Sequence, residues 1–248
     1  MRARQVLSIL LTASPVLGAV LLSPCEAAAQ SVPSHLLWAE ELVDNLLPEY
    51  NVYATSPQYV SWAGEHSATR YENRTQCSSF LTRLLQQGYG WSDTTMRYWL
   101  GSTSPSSVMY HDAIVAERGF DRIATITDVL PGDIIAIRYP VGSSISGHIS
   151  IVESAPILRI ATTPLREGTF QYEVSVADSA SIGHGMTDTR IQPNGTWHAG
   201  AGIGVMRLYA DAYGTVVGHT WSTAPSTTSF YSQATRRIVI GRLQLAER

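Results

Sequence analysis

Cys77, His148 and Asp178 stand in an order that suits acyl transfer by a thiol. That chemistry needs a thiolate to attack, a histidine to pair with it and later protonate the leaving amine, and a polar group to orient the histidine. Cys77 falls in the first turn of a predicted helix, where free N–H groups and the helix dipole favour a thiolate over a thiol. His148 opens a predicted strand after a turn at residues 143–147, and Asp178 closes a later one. Side chains at strand ends project toward a sheet edge, where they can meet a helix N-terminus laid across it. His184 is the alternative orienting partner, or a loop residue that touches substrate.

Each residue has a plainer reading: a buried thiol as a small hydrophobe, a histidine satisfied within a strand, an aspartate capping a turn. The cysteine count tilts the balance. Arg2 and Arg4, an apolar run over residues 6–22 and then Ala27-Ala28-Ala29 have the pattern of a secretory signal peptide over residues 1–29. Pro15 and Gly18 interrupt the run and no basic flank follows it, which argues against a stable membrane anchor. Cys25 would leave with that segment, so an exported protein, periplasmic or extracellular, would carry Cys77 alone where cysteines normally pair.

The elements that must position these groups follow from periodicity. Ser34 is placed to cap a helix over residues 35–47, with Leu36, Leu37, Leu42, Val43, Leu46 and Leu47 at helical spacing and Pro48 as its stop. A second helix spans 76–88, capped by Thr75, with Phe80, Leu81, Leu84 and Leu85 as its buried stripe. A third covers 107–118, with Tyr110, Ile114 and Val115 facing inward. Residues 50–76 read as a long irregular connection. Strands are expected over 134–138, 148–153, 158–162, 172–178, 205–209, 216–221 and 237–240, the first of them entered through Leu130-Pro131-Gly132-Asp133. Helices first and an antiparallel sheet second make an α+β domain over residues 30–248, with an inserted loop at 179–204.

Composition narrows the function classes. The chain has a formal net charge of −3, which becomes −4 without residues 1–29; it has no lysine, and its arginines are scattered. Nucleic acid is therefore not an expected partner. No His-x-x-x-His or Cys-x-x-Cys is present, so no metal site is expected, and Gly-x-Ser-x-Gly is absent. The glycines at 200–204 lack the lysine of a phosphate loop. Asn73 and Asn194 begin Asn-x-Thr sequons. His198 and His219 read as surface residues. Oligomeric state is unspecified.

Tyr71, Thr75-Gln76-Cys77-Ser78-Ser79-Phe80, Leu130-Pro131-Gly132-Asp133-Ile134-Ile135 and Gly147-His148-Ile149-Ser150-Ile151-Val152 together resemble the NlpC-like, papain-fold cysteine peptidases, relatives of the CHAP amidases. The resemblance spans residues 71–178. It implies a papain-like fold, with N-terminal helices on an antiparallel sheet or half-barrel, and no cofactor. It further implies Cys77 as nucleophile, His148 as base and acid and Asp178 as orienter. Tyr71 matches the family's upstream tyrosine and would join the Cys77 N–H in an oxyanion hole, with Gln76 the competing donor. Gln76 and Ser79 stand where the family usually has aspartate and glycine, and residues 156–168 lengthen a strand connection. The implied activity is hydrolysis of a peptide amide, in a cell-wall stem peptide above all. Acyl transfer to an amine, or a non-catalytic binding role on the same scaffold, are the alternatives.

Overall fold

The computed structural model describes residues 31–225 and 228–245; the expected signal segment at 1–29 lies outside the described residues. The body they form is α+β, with a few helices on a large antiparallel sheet. None of the described helices is long and apolar enough to cross a membrane.

Four helices, α1 (Ser34–Asn45), α2 (Cys77–Tyr89), α3 (Asp93–Leu100) and α4 (Ser107–Val115), precede most of the strands. Helix α1 is capped at Pro33 rather than Ser34 and ends before Pro48, and Leu37 and Leu47 are exposed rather than part of its buried stripe. In α2 the cap is Gln76, not Thr75: the Ser79 hydroxyl accepts from the Gln76 N–H at 3.0 Å, satisfying a donor that the first turn leaves free. This helix continues past the expected stop at Gly88 to Gly90, whose φ of 66° suits glycine. Gly88 has a packing role instead, because a Cβ there would stand 3.0 Å from Ser34 Oγ and 3.1 Å from the His35 nitrogen as α1 crosses it. Helix α3 escaped the sequence pattern because only Met96 and Leu100 face the core. Helix α4 stops short of Arg118, and Val115 points outward while Tyr110 and Ile114 are buried.

Residues 50–76 are not irregular. They include β1 (Asn51–Tyr53), β2 (Tyr59–Ser61) and β3 (Glu72–Thr75), which form a small sheet in the order β1-β3-β2. Its buried positions include the polar Asn51, Asn73 and Thr75, so no apolar alternation announces it.

The large sheet consists of β4 (Phe120–Ile123), β5 (Ile134–Arg138), β6 (Gly147–Val152), β7 (Ile157–Arg159), β8 (Phe170–Ala180), β9 (Gly200–Ala210), β10 (Val216–Thr220), β11 (Phe230–Ser232) and β12 (Arg237–Leu243). Its order is β11-β10-β9-β8-β6-β5-β12-β4, with β7 beside β8. Strands β8 and β9 exceed the expected ranges at both ends, and β4 and β11 were not anticipated. The turn before β5 is as expected, and Asp133 holds it by accepting the Leu130 N–H at 2.8 Å and Nε and Nη2 of Arg242 from β12, each at 2.9 Å.

Alternation puts two apolar cores on the two faces of this sheet. Ile134, Ala136, Ile149, Ile151, Ala177 and Val239 pack under the helices. Ile135, Ile137, Val152, Val174, Val176, Met206, Leu208, Ile238 and Ile240 pack against one another on the opposite face. The sheet curls around this second core. Gln233 joins β10 to β12 across the curl: its amide donates to the carbonyls of Val216 and Ile238 at 2.9 Å and accepts the Ile238 N–H at 2.9 Å.

Gln233→Ala would leave those backbone groups unpaired, and a loss of about 1–3 kcal/mol is expected. Urea unfolding checks this, with a lowered midpoint and an unchanged slope as the expected outcome.

Candidate active site

Cys77 is placed by the small sheet. Strand β3 leads through Gln76 into α2, and Asn73 on β3 donates to Asn51 Oδ1 at 3.0 Å. Asn51 acts like a strand end toward β9, donating to the Ala201 carbonyl and accepting the Ala201 N–H, both at 2.8 Å. The Ser179 hydroxyl on β8 donates to the Thr75 carbonyl at 2.9 Å. These bonds bring the start of α2 to the end of β8, where Asp178 sits. Asn73, one of the two sequon asparagines, is wholly buried in this network. His198 Nε2 donates to the Asn51 carbonyl at 2.7 Å and so belongs to the seam rather than the surface.

His148 on β6 and Asp178 on β8 project from the same sheet face. The pairings Ile151 to Ala177 and Val152 to Val176 place Ser150 beside Asp178, with His148 one step further. His148 Nε2 meets Asp178 Oδ2 at 2.5 Å, and the Ser150 hydroxyl donates to the same oxygen at 3.3 Å. The loop following β8 supplies two more partners: His184 Nε2 meets Asp178 Oδ2 at 2.8 Å, and Arg190 donates to Asp178 Oδ1 at 2.9 Å. Arg190 is held in turn by Asp188 through Nε at 2.8 Å and Nη2 at 2.7 Å. Asp178 therefore lies inside a strand that runs on to Ala180, and it meets both histidines instead of capping a turn.

The loop runs over 181–199, shorter at both ends than the expected 179–204, because the glycines at 200–204 belong to β9. Gly200, Gly202 and Gly204 line the face that carries Asp178, opposite Ala180, Asp178 and Val176. A Cβ would come within 2.0 Å of Asn51 Oδ1 at Gly200, 2.7 Å of the Arg190 side chain at Gly202 and 2.3 Å of Asp188 Oδ2 at Gly204. The alternating glycines thus form the seat for the charged loop residues.

These contacts set the protonation states. Burial favours a neutral Asp178, but the charges of His184, Arg190 and His148 outweigh it and hold the carboxyl well below its ordinary range. Burial likewise opposes charge on His148, yet negative charge at Cys77 and Asp178 and hydrogen bonds to both push its pKa up to about 9. With Nε2 engaged by Asp178, Nδ1 is the nitrogen left for the thiol. Cys77 is 6% exposed, buried but within reach of His148.

A cavity of about 340 Å³ opens over His148, lined in part by Tyr53, Tyr139, Gly147, Trp221, Tyr231 and Arg236. Ser181 and Ile182, at the base of the loop, form part of its wall. Trp221 stands edge-on to the His148 ring, centroids 4.6 Å apart, and tilts against His184 at 4.7 Å. Its indole restricts water at the two histidines.

The expected oxyanion donor, Tyr71, is elsewhere: its hydroxyl donates to Glu41 at 3.0 Å at the surface. Tyr53 takes the place beside Cys77, because parallel pairing of β1 and β3 sets Tyr53 against Thr75. Burial, then the charge at Cys77, raises its hydroxyl pKa to about 12, while a hydrogen bond with the Gln76 side chain works against the rise. Gln76 therefore stands near the site, and the Cys77 N–H precedes the first helical bond, from Phe80 to Gln76 at 2.8 Å. Tyr53 lay in a stretch without apolar periodicity; its position three residues into a short polar strand carries no signal of its own.

His148, Asp178 and His184 also form a cluster of metal-binding side chains. Their donor atoms are spent on one another at 2.5 and 2.8 Å, and Arg190 adds a cation at the same carboxylate. This arrangement suits a proton-linked network better than a divalent ion.

His219, expected at the surface, is wholly buried on the face of the second core, its ring 5.6 Å from that of Tyr231. Burial, followed by the charges of Arg236, His148 and His184, lowers its pKa to about 3.

Among curated proteins, the uncharacterized protein R653 of Acanthamoeba polyphaga mimivirus is 30% identical over 223 residues, which covers 86% of this chain and 97% of the viral protein. No protein-family model matches the chain. No solved structure matches it significantly.

A histidine with a lowered folded pKa stabilises the fold above its unfolded value of about 6.5, and that contribution is lost as pH falls toward the folded value. Stability should therefore decline from pH 6.5 downward. His219→Phe is expected to flatten that decline and to remove up to one proton from the uptake on unfolding between pH 6 and 4, measured by urea titrations across that range.

Proposed function

We propose that the chain, which belongs to the family of the mimivirus protein R653, is a cysteine hydrolase of papain-like fold that opens an amide bond through a thioester on Cys77. The observation that carries this reading is the buried relay from Cys77 to His148 to Asp178, with Asp178 braced by His184 and Arg190. A helix start bearing the thiol, packed against a curled antiparallel sheet bearing the histidine and carboxylate, is the arrangement expected of that fold.

The chemistry follows from the geometry. The Cys77 sulfur attacks the carbonyl carbon while the Cys77 N–H and the Tyr53 hydroxyl face the developing oxyanion. His148, protonated up to about pH 9, donates to the departing nitrogen as the carbon–nitrogen bond breaks. It then takes a proton from water, which attacks the thioester and releases the acid. Asp178 keeps its charge throughout and fixes the ring so that Nδ1 faces sulfur.

Export through the segment at 1–29 and the resemblance to NlpC-like peptidases make peptide amides, foremost those of cell-wall stem peptides, the substrate class to assay first. The same residues would serve acyl transfer if an amine replaced water.

Two measurements test this reading. Iodoacetamide should alkylate Cys77 at pH 6 at a substantial fraction of its rate at pH 9, and His148→Ala should abolish the reaction at pH 6. Equal, ordinary-thiol profiles in both proteins would refute the pairing. Tyr53→Phe should lower kcat on a cleaved peptide by about 100-fold, whereas Tyr71→Phe should leave it unchanged; the reverse result would return the oxyanion role to Tyr71.

A further inference from the structure

Arg236 lies in the cavity over His148 and has no part in the relay. Its guanidinium stacks on two rings, 3.6 Å from the centroid of Tyr231 and 4.2 Å from that of Tyr139. Arg70, Arg138, Arg159, Arg190 and Arg242 each pair with an aspartate or glutamate. Among the described residues no carboxylate pairs with Arg236, and none lines the cavity. Thr228 lines the same cavity, its hydroxyl buried and without a hydrogen-bond partner among the described residues. A planar cation held in place by two rings, in a cavity that also presents an idle hydroxyl, has the donors that a carboxylate accepts. Half-burying the cation without a counter-ion is unfavourable, and an anionic ligand would offset that.

The cavity's position identifies which half of a substrate it takes. His148 and Trp221 line it, Tyr53 borders it where it approaches the thiol, and Cys77 itself does not line it. In acyl transfer the acyl half stays on the sulfur, while the amine half departs on the side of the histidine that protonates it. We propose that this cavity receives the leaving-amine half of the substrate through a carboxylate bound by Arg236 and Thr228, so that a carboxylate-bearing amine, such as a C-terminal amino acid or short peptide, is released. The proposal rests on the hydrolase reading above and adds to it the charge and the side of recognition.

The test compares two pools of N-acetylated pentapeptides of mixed L- and D-residues without Asp or Glu, one ending in a free carboxylate and the other in a carboxamide. The wild type should cleave the carboxylate pool with a kcat/KM about 10- to 100-fold higher, the worth of a charge-assisted hydrogen bond. Arg236→Gln should erase that preference through KM with kcat retained, and Arg236→Lys should keep part of it. Equal cleavage of both pools by the wild type, or a preference that survives in Arg236→Gln, would overturn the proposal. If neither pool is cleaved, it is the hydrolase reading for peptides that fails. Equilibrium dialysis of both pools against the Cys77→Ala protein then decides the pocket by itself. Selective retention of the carboxylate pool, lost on adding Arg236→Gln, upholds it, and equal retention overturns it.

Discussion

The site depends on one buried charge. Asp178 is almost wholly sequestered, and a carboxylate in that position is tolerable only when its oxygens are fully engaged by cations and donors. His148 and His184 meet one oxygen and Arg190 the other. Arg190 would itself be a buried charge, and Asp188 answers it. The loop between β8 and β9 is shaped by this requirement: it returns over β9 where alternating glycines leave space for the guanidinium and the second carboxylate. An ordinary strand with side chains at those positions would have excluded the partners that keep Asp178 ionised.

The second half of the relay arrives from a different part of the chain. Cys77 stands at a helix start whose approach strand is bonded through Asn51, Asn73 and Ser179 to the same two strands, β8 and β9, that carry Asp178 and its glycine seat. Cys77 and Asp178 are thus referenced to a common pair of strands, which limits their relative movement to what those bonds allow. For the reaction proposed, such preorganisation matters because a misplacement of about 1 Å can cost two orders of magnitude in rate. Trp221 adds a water-restricting wall across both histidines.

Legibility varied with the physics of each element. Helix α2 could be read because Phe80, Leu81, Leu84 and Leu85 recur at helical spacing, the turn before β5 from its Pro-Gly-Asp, and strands β5, β6 and β12 because they are short runs rich in isoleucine and valine. The small sheet was hidden because its inward positions are Asn51, Asn73 and Thr75, which satisfy one another by hydrogen bonding rather than by burial of hydrocarbon. His219 was misread for a related reason. A neutral imidazole inside a strand core follows no rule of composition, and only its cross-strand neighbours make it interior. Tyr71 and Tyr53 show the limit of carrying a role along the chain: parallel pairing with β3, not closeness in sequence, selects the tyrosine beside the thiol.

By itself the sequence determined the α+β order, the helix that carries Cys77, the strand that carries His148 and the pairing of thiol, histidine and carboxylate as candidates. These are local matters of periodicity, capping and residue type. Tertiary structure alone decided that Asp178 meets His148 and His184 together, that Arg190 neutralises it, that Tyr53 rather than Tyr71 lies beside Cys77 and that Arg236 faces the cavity without a counter-ion. Each of those depends on which strands lie side by side and on which face a side chain emerges, and strand register is set by long-range pairing that no local pattern contains.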